Sequence, residues 1–165
     1  MRRNGAKALV NRICVTDGDV TKEQEEALEN AMKELPYLEN VCLRHRANGS
    51  SYANVAKMLD IPVAYVKHQE RKAVRHLRAP RRYYSILLGE AKAKEKFENH
   101  VGEKRIQDSF LSTKTRNTLE RNGFVYWEEL FEYISNIPER FAYIEGLGKY
   151  GMSEVLYYFY KENKA

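Results

Sequence analysis

Cysteine is scarce in this sequence. Its two copies, Cys14 and Cys42, are too few for a disulfide framework, and nothing around them argues for secretion. Long apolar runs are missing too: no stretch of about 18 apolar residues occurs, which argues against a membrane-spanning helix and a membrane partner. The opening MRRNGAKALVNRICV starts basic but lacks an apolar core and a small-residue cleavage site, so it does not read as a secretory signal. Cytoplasmic residence is the default expectation. No Ser/His/Asp arrangement, P-loop or metal motif stands out. Cys42 and His45 have a Cys-x-x-His spacing, but no second ligand pair follows and both fall on an expected helix. A buried cysteine beside a partly exposed histidine accounts for them better, so no metal or cofactor is expected.

What the sequence does have is positive charge. Against 23 acidic residues stand 28 lysines and arginines, a formal net charge of +5 over 165 residues. That surplus favours a polyanionic partner. The length suits one ordinary domain or two small ones. Arg2, Arg3, Lys7 and Arg12 make residues 1–20 a basic arm, expected to be poorly ordered, with a turn at Asp17-Gly18. A helix is expected from about Lys22 to Leu35. Thr21 and Gln24 fit a capping box, and Ala27, Leu28, Ala31, Met32 and Leu35 form its apolar stripe. Pro36 opens a second helix, with Leu38, Val41 and Cys42 inward, that ends at Asn48-Gly49. Ser50 or Ser51 caps the next.

From Ser51 to Arg78 the chain reads as two helices around a tight turn. Val55, Ala56 and Leu59 recur at helical spacing on the first, and Val66, Ala73 and Leu77 on the second. Asp60 tolerates a left-handed backbone at the turn, and Pro62 restricts the start of the second helix. The other face of that helix carries Lys67, His68, Arg71, Lys72, Arg75 and Arg78. An apolar seam beneath a basic face suits a helix-turn-helix; it also suits a solvated helix pair in an ordinary bundle.

The tail Glu70-Arg71-Lys72-Ala73-Val74-Arg75-His76-Leu77-Arg78-Ala79-Pro80 narrows this choice. With the preceding LPYLENVCLRHRANG, it resembles the fourth conserved region of bacterial primary-type sigma factors over roughly residues 24–82. The resemblance implies promoter DNA as a ligand and docking on the flap of the RNA polymerase beta subunit, here through a surface around Val41, Arg44 and Arg46. The base-reading positions would be Val63, Ala64 and His68, where the family usually carries Arg, Glu and Gln. Val and Ala form no hydrogen bonds to bases and offer only contacts to thymine methyls. Lys67, Arg71, Arg75 and Arg78 would hold phosphates, adding salt dependence rather than sequence choice.

After Tyr83, Tyr84, Ile86, Leu87 and Leu88, expected to close that core, residues 89–108 read as a charged helical spacer with a joint at Gly102. A second unit follows over 109–165. Ser112 can cap a helix that stops at Asn122-Gly123. Trp127 to Tyr133 makes a short helix, and Ile134, Ile137, Phe141 and Ile144 feed a core. Gly146-Leu147-Gly148-Lys149 then precedes a last helix, as in a helix-hairpin-helix. The opening Leu111-Ser112-Thr113-Lys114-Thr115-Arg116-Asn117 and the closing Gly146-Leu147-Gly148-Lys149-Tyr150-Gly151 resemble the C-terminal domain of the RNA polymerase alpha subunit. That resemblance implies DNA contacts from Lys114, Asn117, Gly148 and Lys149. Lys114 stands where the family has arginine, and Tyr150 and Gly151 replace a basic residue and a serine.

An all-α protein is therefore expected, with a sigma-like helix-turn-helix lobe over 21–88 and a helix-hairpin-helix lobe over 109–165. As a function, a DNA-binding transcription regulator is expected, or one part of a split sigma-like factor whose second chain supplies the rest. A polymerase-docking appropriator with little base reading is the alternative. An enzyme is the least supported class, because after Val155 the chain offers only LYYFYKENKA and no catalytic constellation. Tyr157 to Tyr160 could be a stacking platform for single strands, but on a helix such a run points all round the axis, so core is the better account.

Overall fold

The computed structural model describes residues 1–98, 104–135 and 138–162. They form an all-α protein of ten α-helices and two short 3-10 segments, with no strand among the described residues beyond one isolated bridge between Arg105 and Tyr126. Among the described residues, no helix is long and apolar enough to cross a membrane. The chain divides into two compact units, Met1–Arg78 with Arg82–Glu95, and Ala79–Arg81 with Lys96–Ala165. The joint expected at Gly102 and the core position Ile137 lie outside the described residues.

The first unit contains α1 (Arg3–Cys14), α2 (Lys22–Lys33), α3 (Tyr37–Ala47), α4 (Tyr52–Leu59) and α5 (Val63–Leu77). Helix α1 corrects the expectation of a poorly ordered basic arm over residues 1–20. Ala6, Leu9, Val10 and Ile13 recur at helical spacing, and all four are buried. Arg3, Lys7 and Arg12 lie on the exposed side. Gly5 permits close packing on α3, because a Cβ there would stand 2.7 Å from the Ala47 carbonyl oxygen. The helix ends at Val15, whose φ of 56° puts a β-branched residue in the left-handed region.

Thr21 and Gln24 form the capping box of α2: the Gln24 amide donates to the Thr21 hydroxyl, and the Thr21 amide to the Gln24 side chain. The stripe of Ala27, Leu28, Ala31, Met32 and Leu35 is buried. In α3, Cys42 and Leu43 are buried while Leu38 and Val41 are half-buried. Tyr83, Tyr84 and Ile86 of α6 (Pro80–Leu88) are buried, and α7 (Glu90–Glu98) buries Ala93.

The second unit holds α8 (Thr113–Arg121), α9 (Trp127–Ser135) and α10 (Gly148–Glu162). Leu119, Phe124, Leu130, Tyr133, Ile144 and Val155 fill its core. The aromatic run on α10 splits: Tyr157 is exposed, whereas Tyr158 is buried and stacks on Trp127 with ring centroids 3.9 Å apart.

Candidate nucleic-acid interface

Helices α4 and α5 meet across a tight turn. Ser51 caps α4, accepting from the Asn54 amide at 3.1 Å. Asp60 takes φ 52° and ψ 49°, a conformation that a short polar side chain tolerates. The Ile61 amide then donates to the Ala56 carbonyl at 3.1 Å, and Pro62 sets the entry to α5. Cys42, Val55, Ala56 and Val66 form the buried cluster beneath, with Tyr52, Leu59 and Ile61 packed against it. This geometry fixes which face of α5 points outward.

That face brings together most of the residues singled out in the sequence. Val63, Ala64, Lys67, His68, Arg71 and Arg75 are all exposed. The sole carboxylate in α5 belongs to Glu70, which is only 3 % exposed. The helix therefore shows solvent cations and apolar groups but no anion. Gln69 is buried as well.

Glu70 is the anchor of this arrangement. Its carboxylate accepts from the Arg12 guanidinium at 2.8 Å and from the Tyr52 hydroxyl at 2.5 Å, and Arg46 Nε lies 3.9 Å away. Burial pushes the carboxyl's pKa up, but the hydrogen bonds from Tyr52 and Arg12 and the positive charge beside it outweigh burial, so it lies below the ordinary value. The Arg46 guanidinium also sits 3.8 Å from the centroid of the Tyr52 ring.

Arg78 departs from its expected place on the DNA face. It is half-buried, and its guanidinium donates to the carbonyls of Arg12 and Ile13 at 2.7 and 3.3 Å. There it satisfies carbonyls at the end of α1 that lack helical partners. Two of the residues expected to dock on polymerase are also engaged within the fold. Arg44 makes a two-pronged pair with Glu29 at 3.1 and 2.9 Å, and Arg46 donates to the Ser50 carbonyl at 2.5 Å. Val41 is half-buried. Buried Glu39 gathers two more side chains of α5, with Lys72 Nζ at 3.5 Å and His76 Nδ1 at 2.6 Å.

In the second unit the expected contacts fall on α8 and at the start of α10. Lys114, Asn117, Gly148 and Lys149 are exposed. Gly146 and Gly148 take φ of 80° and 61°, which the hairpin requires of them. Asn122 pins the turn from α8. Its side chain donates to the Glu145 carbonyl at 2.9 Å and accepts from the Glu145 amide at 3.0 Å. Glu154 on α10 reaches the start of α8, accepting from the Ser112 amide, the Ser112 hydroxyl and the Thr115 hydroxyl. A Cβ on Gly151 would lie 3.3 Å from Thr115 Oγ1, so α10 crosses α8 closely where the alpha-tail pattern has serine.

Sequence reasoning did not find the roles of Arg12, Tyr52, Asn122 and Glu154. A signal existed for Asn122, which precedes Gly123 at a helix end. The others depend on partners far along the chain. Among the described residues, no three His, Cys, Asp or Glu side chains lie together as a metal site would require. No protein-family model, curated protein or solved structure matches this chain.

Proposed function

We propose that this protein binds promoter DNA as a transcription regulator or as one part of a split sigma-like factor, working with bacterial RNA polymerase. The observation that carries the proposal is the outer face of α5, held out by the Asp60 turn and free of exposed carboxylates. A helix of this kind suits the major groove, with Lys67, Arg71 and Arg75 toward the phosphates. The resemblance of residues 24–82 to sigma region four supports the same reading. So does that of 109–163 to the C-terminal domain of the polymerase alpha subunit, where Lys114, Asn117, Gly148 and Lys149 are the candidate contacts.

Fluorescence anisotropy on promoter and shuffled duplexes across a salt series tests it. Affinity should fall steeply with salt, and Lys67→Ala and Arg71→Ala should each reduce the log–log slope by about one. Absence of binding at low salt overturns the proposal.

A second reading is docking on the polymerase beta flap with little base reading. Val63 and Ala64, which have no hydrogen-bonding side-chain groups, favour it. The engagement of Arg44 with Glu29 and of Arg46 with Ser50 makes it the weaker of the two.

A further inference from the structure

Val63 is 39 % exposed, while Val55 and Val66 of the same helix pair are at 1 % and 0 %. Its burial therefore contributes little to the core, and neither does that of exposed Ala64. Both stand in the first turn of α5, the end that a helix-turn-helix presents to base edges. One turn on, Lys67 and His68 share the face with Ala64, and Arg71 follows one turn later. Arg71 is exposed and has no hydrogen-bond or ion-pair partner among the described residues.

In the major groove the one apolar group that distinguishes a base pair is the thymine C5-methyl. Resting on the DNA-binding reading above, we infer that α5 selects its site through thymine methyls packed against Val63 and Ala64, with Lys67 and Arg71 holding the neighbouring phosphates. The ligand is thus T-containing duplex, read by apolar contact instead of bidentate hydrogen bonds. His68, its ring centroid 6.3 Å from that of Tyr65, borders the apolar pair.

The full chain is first used to select duplexes from a random pool. The enriched duplex is then synthesised with thymine and again with deoxyuridine, which removes only the methyl. Enrichment of T·A pairs, with a loss of about fourfold in affinity per methyl removed, is the expected result. Val63→Ala should bring the thymine-to-uracil ratio towards one, with helical content by circular dichroism unchanged because the side chain is exposed. Lys67→Ala should weaken both duplexes equally and leave the ratio intact. Equal affinity for the two duplexes, or binding without any T·A enrichment, overturns this inference and leaves DNA binding standing. Failure to bind any duplex at low salt overturns the DNA-binding reading itself, and this inference with it.

Discussion

The guanidinium of Arg12 lies 2.8 Å from the buried carboxylate of Glu70, fastening the first helix to the fifth across 58 positions of sequence. Tyr52 reaches the other carboxylate oxygen from α4. One buried anion thus ties together three helices and fixes the rotation of α5. Arg12→Ala should cost about 1–2 kcal/mol, because Glu70 keeps Tyr52 and Arg46 while Arg12 is half-exposed. Glu70→Ala should cost about 3 kcal/mol, since it also strands the Tyr52 hydroxyl. Urea unfolding of the two variants measures both.

Acid should weaken the first unit through the same group. Glu70 and Glu29 both lie below the ordinary value of 4.5; Glu29 is lowered first by its hydrogen bond from Arg44. A carboxyl depressed in the folded state stabilises fully above its unfolded pKa, and that contribution is lost as pH falls through the folded value. The urea midpoint should therefore hold steady down to about pH 5 and drop below 4.5. Glu70→Gln should be less stable at neutral pH and show a shallower acid limb. An acid limb as steep as that of the unaltered protein would rule out Glu70 as a source of the loss.

Gly5 should resist replacement although it lies within a helix. Alanine is the better helix former by about 1 kcal/mol, but its Cβ would press on the Ala47 backbone oxygen, which yields only if α1 moves. Gly5→Ala should be destabilising by about 1 kcal/mol net, measured by thermal unfolding. Gly18→Ala, where nothing lies within 4 Å, should leave the midpoint nearly unchanged.

Asn122 should control the hairpin from within the fold. Asn122→Ala removes both bonds to Glu145 and should cost about 1–2 kcal/mol. Hydrogen exchange should quicken at Glu145 to Gly148 more than in the core around Leu119 and Val155. Uniform quickening across the unit would contradict a local role.

Much of the fold was legible where the determining forces are local. The Thr21–Gln24 capping box, the Ser112 cap and the left-handed turn at Asp60 each depend on residues within four positions and stand where the sequence put them; of the two candidates Ser50 and Ser51, it is Ser51 that caps α4. Helix α1 was also legible in principle. Ala6, Leu9, Val10 and Ile13 spell an apolar stripe, but the four basic residues interleaved with it give the same segment the pattern of a charged arm. The exposed face of α5 followed from periodicity, so Lys67, His68 and Arg71 are outward. Arg78 belongs to the same periodic row, yet it turns to the carbonyls of α1, an element that the expected fold did not contain. Long-range pairing was the recurrent blind spot: Arg12 with Glu70, Glu154 with Ser112, and Arg44 with Glu29 carry no signature in spacing.

The clasp of Arg78 on the end of α1 also sets an order of events. Residues 12 and 13 cannot complete their contacts until the chain has reached position 78. During synthesis, α1 can lay its apolar stripe on α2 and α3 soon after it leaves the ribosome, but the carbonyls at its end wait for Arg78 while some sixty further residues emerge. Loop closure over that span is entropically slow compared with the local helix pairs. The first three helices can therefore associate before α5 is complete, with the clasp of Arg78 as the late step that fastens the end of α1.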